Sequence, residues 1–202
     1  MKFYLIKYEA ENPQKYARAF IFENSLWKDE PLFAGEYKAK HELPIPYYVE
    51  NKIKPNDFVF AKNIVVSDSF LKVISQVNKD YEALESQFYY LGKNSNAFLE
   101  SSGNESGIIW DLFYTMIFPG YELLNEEASD CEYIYIESLG KQLIRSINTL
   151  VLSSEKINST VFENNIFLLK EKKSYLLCTD NAKQAIEEAG LIGIGFKEVP
   201  VV

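Results

Sequence analysis

The sequence predicts an α+β fold: mixed, mainly antiparallel sheets with a few helices, closing on a C-terminal strand–helix–strand. Three observations carry that expectation. Short runs of Val, Ile, Leu, Phe and Tyr recur along the chain ("FYLI", "FVFAKNIVV", "EYIYI", "NIFLL", "YLLC"), at strand lengths and bounded by turn residues. Helical spacing of apolar residues is clear in only two stretches, Phe70–Val77 and Ala182–Ala189. Those helices sit irregularly among the strands instead of alternating with them, which argues against a doubly wound sheet.

Taken in order, Lys2–Tyr8 sets Phe3 and Leu5 against Tyr4 and Ile6, the pattern of a buried N-terminal strand. After the polar "EAENPQKYA", "RAFIFENSLW" is a second strand candidate with a turn at Asn24-Ser25. Pro31, Pro44, Pro46 and Pro55 punctuate Lys28–Asp57 and predict extended irregular structure, because proline removes a donor and blocks the helical conformation of its predecessor. Two segments then resemble each other. "FVFAKNIVVSDSFLKVISQVN" reads as a strand, a Ser67 N-cap and a helix on Phe70, Leu71, Ile74 and Val77. "SYLLCTDNAKQAIEEAG" reads as a strand, a Thr179 N-cap and a helix on Ala182, Ala185, Ile186 and Ala189, stopped by Gly190. Asp68 and Asp180, just after the caps, suit the positive helix end. Duplication and convergence on good helix-start chemistry both fit this likeness.

Tyr81–Tyr90 fits either a helix extension or a strand. "KNSNAFLESSGNESG" reads as an exposed loop or hairpin. "EYIYIES" predicts a strand with one wet face. "INTLVLSSEKI" and "NNIFLLKEKKSYLLCTD" predict two or three more strands, the last pair turning at "KEKKS". The expected organisation is one domain over residues 1–202, or two lobes, 1–92 and 104–202, joined by the 93–103 loop.

Composition narrows the function. With 47 % apolar and 15 % aromatic residues, 202 residues are enough for a sizeable core. The net charge of −8 and the lack of a basic patch beyond "KAKHE" and "KEKK" disfavour nucleic-acid binding. Cys131 and Cys178 lack metal-ligand spacing and read as reduced thiols. No signal-peptide pattern opens the chain, and the longest apolar stretch, "IIWDLFYTMIF", is too short for a bilayer and carries Asp111. The expectation is a soluble, cytoplasmic protein that binds no membrane.

Chemistry is sparse. The one histidine, His41, has no nucleophile or orienting carboxylate that the sequence can assign to it. "GLIGIGF" follows a helix, whereas a phosphate cradle must precede one; its glycines read as a helix stop and a close-packed strand start. Walker, GxSxG and calcium-loop patterns are absent. No catalytic residue, cofactor or metal is expected. Two features suit binding. In "YELLNEEASDCEY", Glu122, Glu126, Glu127, Asp130 and Glu132 crowd together, as a solvated face or as a steering surface for a basic partner. "WDLFYTMIFPGY" is dense in aromatics; Trp110 is its candidate interface anchor, although such density more often fills a core.

The C-terminal "NNIFLLKEKKSYLLCTDNAKQAIEEAGLIGIGFKEV" resembles the ending of the polymorphic-toxin immunity proteins grouped as immunity protein family eleven, formerly a domain of unknown function. The counterparts are Ile166–Lys170, Tyr175–Thr179, Asp180–Leu191, Gly193 and Phe196. "PLFAGEYK", "NDFVFAKNIVVSDSFLKVI" and "YELLN" followed by Asp130-Cys131 are similar to the family's middle section, whereas "LESSGNESGIIWDLF" has no counterpart. The resemblance implies a bacterial cytoplasmic protein, monomer or homodimer, that binds and neutralises a cognate toxin domain without catalysis. A small-molecule or nucleotide-modifying enzyme and a phage or secretion-system accessory protein remain alternatives.

Overall fold

The computed structural model describes residues 1–9, 44–49, 55–61, 63–90 and 109–202. Elements follow as β1 (Phe3–Tyr8), β2 (Ile45–Val49), β3 (Phe58–Ala61), β4 (Asn63–Ser67), α1 (Asp68–Val77), β5 (Glu82–Tyr90), β6 (Ile109–Ile117) and β7 (Gly120–Tyr121). Then come β8 (Asp130–Ile136), a 3-10 turn, β9 (Lys141–Thr149), α2 (Ser154–Ser159), β10 (Ile166–Leu169), β11 (Lys172–Thr179), α3 (Asp180–Glu188) and β12 (Ile194–Val199). The strands form one sheet ordered β12-β1-β11-β10-β7, a second ordered β2-β5-β6-β4-β3, and a separate β8-β9 ribbon. Among the described strands, β2·β5 and β10·β7 pair in parallel and the rest antiparallel. The fold is α+β and mainly antiparallel.

The two sheets are built on one plan. Each contains an antiparallel hairpin (β3-β4, β10-β11), a helix leaving the hairpin's second strand (α1, α3), and a strand returning one place away (β5, β12). A strand from elsewhere fills the gap, β6 in one sheet and β1 in the other, antiparallel to both neighbours. The correspondence extends to residues. The cap Ser67 lies opposite Phe113 and Thr179 opposite Phe3, while Val66 lies opposite Tyr114 and Cys178 opposite Tyr4. The likeness of the two sequence segments therefore reflects a shared three-dimensional unit.

Alternation along the strands divides the apolar residues among three clusters. One draws on both sheets and both longer helices: Ile6, Ile166, Leu176 and Cys178 meet Phe58, Val66 and Met116 through Phe70, Ile74, Ala182 and Ile186. Behind the second sheet, Val65, Phe88 and Phe113 pack with Ile45 and Tyr47. Behind the first, Phe3, Phe167, Leu177 and Val199 pack with Leu123, Leu152 and Ile147.

Three asparagines join the two units. Buried Asn78, at the end of α1, accepts from Asn165 N (3.1 Å) and Ile166 N (2.8 Å) and donates to Ile166 O (2.6 Å). Asn164 Oδ1 accepts from Lys79 N and Asp80 N, both at 2.8 Å, and Asn165 Nδ2 donates to Val77 O at 2.6 Å. Side-chain amides here add to the isolated Asn78–Asn164 main-chain bridge, satisfying groups at the helix end and strand start that the bridge does not reach.

Several expectations need correction. "FVFAKNIVV" is two strands, paired from Phe58↔Val66 to Ala61↔Asn63. Within the proline-rich stretch, residues 45–49 form a strand; Pro46 fits because β2 is a sheet edge, where a missing donor is tolerated. Tyr81–Tyr90 resolves as strand β5. "SSEKI" is helix α2, started by Ser153 Oγ accepting from Lys156 N, because a local cap outweighed the strand pattern before it. Ser67 caps α1 by accepting from Phe70 N, but Thr179 gives its hydroxyl to Asn165 Oδ1 and makes no cap bond. Gly190 is left-handed at φ 62°, as the helix stop requires. "EYIYIES" is wet on both faces, since β8 pairs with β9 alone. "RAFIFENSLW", His41 and the 93–103 segment lie outside the described residues. The strands flanking that segment, β5 and β6, are neighbours in one sheet. Among the described residues, no helix is long and apolar enough to cross a membrane.

Candidate protein-binding surface

The β8-β9 ribbon joins "DCEYIYI" and "KQLIRSINT", which are rich in β-branched and aromatic residues, and Gly140, at φ 59°, permits the left-handed residue that ends the intervening 3-10 turn. One end is anchored. Ile147 and partly buried Cys131 and Ile144 join the cluster behind the first sheet, and Tyr175 Oη donates to Ile147 O at 2.9 Å. Lys172 Nζ donates to the carbonyls of Ile144 (3.3 Å) and Arg145 (2.7 Å). The other end stands in solvent with its large side chains uncovered: Tyr133 is 41 % exposed, Ile134 46 %, Tyr135 62 % and Leu143 37 %. Burying such residues is worth about 1.5–3 kcal/mol each, and the fold leaves much of that unused.

Four of the five candidate acids cluster at this ribbon. Glu126 Oε2 accepts from Tyr133 Oη at 3.0 Å, which pushes the phenol up to about 12. Glu132 accepts from Ser146 Oγ (2.8 Å) and Asp130 from Asn148 Nδ2 (3.2 Å), both across the strand pair. Glu127 is exposed. The fifth, Glu122, is held below the usual carboxylate range by its contact with Lys170 Nζ at 2.7 Å. Burial raises the Cys131 thiol. Trp110 lies apart, on β6, where it packs against the cluster behind the second sheet. The acids are thus brought together and the proposed aromatic anchor is not; the exposed aromatics beside the acids are Tyr133 and Tyr135. They escape a sequence reading because "EYIYIES" predicts a strand with only one wet face; the available signal is the short, self-contained hairpin that Gly140 closes.

Other concavities are modest. One, about 420 Å³, is lined by Lys79, Asp80, Tyr81 and Pro119. One of about 270 Å³ is lined by Glu9, Lys183, Glu187 and Phe196. A third, about 220 Å³, reaches Ser86, Gln87 and Asp111. Ser86 Oγ bonds to Thr115 Oγ1 (2.8 Å) and donates to Leu84 O (3.0 Å). Thr115 Oγ1 bonds in turn to Tyr47 Oη (2.7 Å), a buried phenol raised to about 12 by desolvation. Among the described residues, no carboxylate, lysine or histidine is hydrogen-bonded to this hydroxyl chain. Among them, too, no group of three or more His, Cys, Asp or Glu side chains could hold a metal ion.

No protein-family model matches the chain, and no curated protein matches it significantly in sequence.

Proposed function

We propose that this protein is a cytoplasmic, non-enzymatic immunity protein that binds a cognate toxin domain and neutralises it by covering its working surface. The observation that carries this reading is the ribbon, where acidic side chains flank uncovered tyrosines and aliphatics that the core does not use. Aromatics at the centre and charges at the rim are what a protein interface needs, and steering by the acids favours a basic partner. A standard interface takes roughly 800 Å² from each partner. The resemblance of the C-terminal motifs to immunity protein family eleven points the same way.

Co-expression with the toxin domain encoded beside the gene tests the proposal. Restored growth and a co-purifying complex are expected. Undiminished toxicity without co-purification refutes it.

A further inference from the structure

The ribbon's two edges are not equivalent. On β9, carbonyls of Ile144, Arg145 and Ile147 are occupied by Lys172 and Tyr175 from the first sheet. On β8, among the described residues, no group outside β9 bonds to the main chain of Asp130–Ile136. Natural edge strands are protected by lysine, proline, bulges or a covering segment. Register shifts blunt β8 between Asp130 and Cys131 and between Glu132 and Tyr133. Beyond them, Tyr133–Ile136 pairs regularly with Ile144, Leu143, Gln142 and Lys141 and contains neither lysine nor proline. Carboxylates bracket this open stretch: Glu126 and Glu132 at one end, Glu137 at the other.

We infer that the outer edge of β8 accepts an extended segment of a protein partner as an added strand, with apolar residues at its centre and Lys or Arg at its ends. Main-chain hydrogen bonds supply attachment in this mode, and the side chains flanking the edge supply selection. Here Tyr133, Ile134 and Tyr135 receive alternate apolar side chains. The bracketing carboxylates choose a basic segment over an acidic one, which also disfavours a second copy of this acidic chain. The inference deepens the proposed function and rests on it for the partner's identity, but not for the edge itself.

The test titrates the isotope-labelled full-length protein with two capped heptapeptides of alternating Val and Thr, one with Lys at both ends and one with Glu. Saturable amide shifts confined to β8 and its neighbours are expected, with the Lys peptide binding about tenfold more tightly at low salt. Ile134→Lys, at an exposed position, is expected to keep the wild-type circular dichroism spectrum and weaken the Lys peptide about tenfold. Absent or scattered shifts, or equal binding of the two peptides, overturn the inference. Co-expression separates the two claims. Peptide on β8 without protection from the toxin removes the functional reading and leaves the edge site. Protection that survives Ile134→Lys, with no peptide on β8, removes the edge site and leaves the functional reading.

Discussion

Replacing Asn78 with alanine tests whether the asparagine clasp holds the two units together. The side chain makes three hydrogen bonds, two from the amides of Asn165 and Ile166 and one to the Ile166 carbonyl, in a site where Ile166 is fully buried. Removing one side of a buried hydrogen bond costs about 1–3 kcal/mol, with the low end applying where the bond is only partly buried, as it is at Asn165 N. The three together predict a loss of about 3–5 kcal/mol, a large share of the 5–15 kcal/mol typical of a domain. Asn164→Ala is the internal comparison. It frees the amides of Lys79 and Asp80, both exposed residues that water can reach, so about 1–2 kcal/mol is expected. Guanidinium unfolding followed by circular dichroism measures both as midpoint shifts at constant slope. A loss below about 1 kcal/mol for Asn78→Ala, or the reverse order of the two variants, refutes the reasoning.

Other perturbations follow from single contacts. Leu112 sits on β6 at φ 63° and 64 % exposed, so Leu112→Gly is expected to be neutral or stabilising by up to about 1 kcal/mol in thermal melts, and Leu112→Val destabilising. Gly193→Ala combines φ 85° with a Cβ that would lie 2.6 Å from the Asn56 side chain; a loss of more than about 2 kcal/mol is expected by the same assay. Hydrogen bonds from Lys2 N (2.9 Å) and Tyr4 Oη (3.0 Å) hold the Asp180 carboxyl below its ordinary value, so the ionised group stabilises the fold above about pH 3.9. Asp180→Asn should therefore destabilise at neutral pH, with the gap from wild type closing as pH falls through the lower folded value; a gap independent of pH contradicts this. Cys178 is fully buried and its thiol strongly raised, so a thiol reagent should reach it only in denaturant, while partly buried Cys131 reacts first.

Local chemistry was legible in the sequence where a few neighbouring residues decide the outcome. Ser67 and Gly190 act as their types require, because a cap needs only an oxygen near the first amides and a stop needs only a residue free to be left-handed. The likeness of the two strand–helix segments was visible for the same reason. The strands completing each unit were not, because β6 and β1 come from distant positions that carry no mark of where they will pair. Thr179 shows how tertiary context intervenes: a half-buried asparagine just before the neighbouring strand takes the hydroxyl that local pattern assigns to the helix. At the candidate surface, the acids could be read because they are adjacent in the chain. Trp110, the anchor expected from aromatic density, lies partly buried against the second sheet's cluster, because aromatic content does not reveal which side of a strand faces a core. The exposure of Tyr135 and Ile134 followed from β8 having one neighbour, a property of the sheet and not of the strand.

The position of β1 has a consequence for synthesis. This strand is translated before the other described elements, yet it lies between β11 and β12, which are translated after nearly all of them. The second sheet can pair once Ile117 is clear of the exit tunnel, whereas β1 must wait for Thr179 before its first partner, β11, is complete and for Val199 before its second. A message cut short between Ile117 and Lys172 yields a chain whose second sheet has all its strands while β1 lacks both of its partners, a substrate for quality-control proteases.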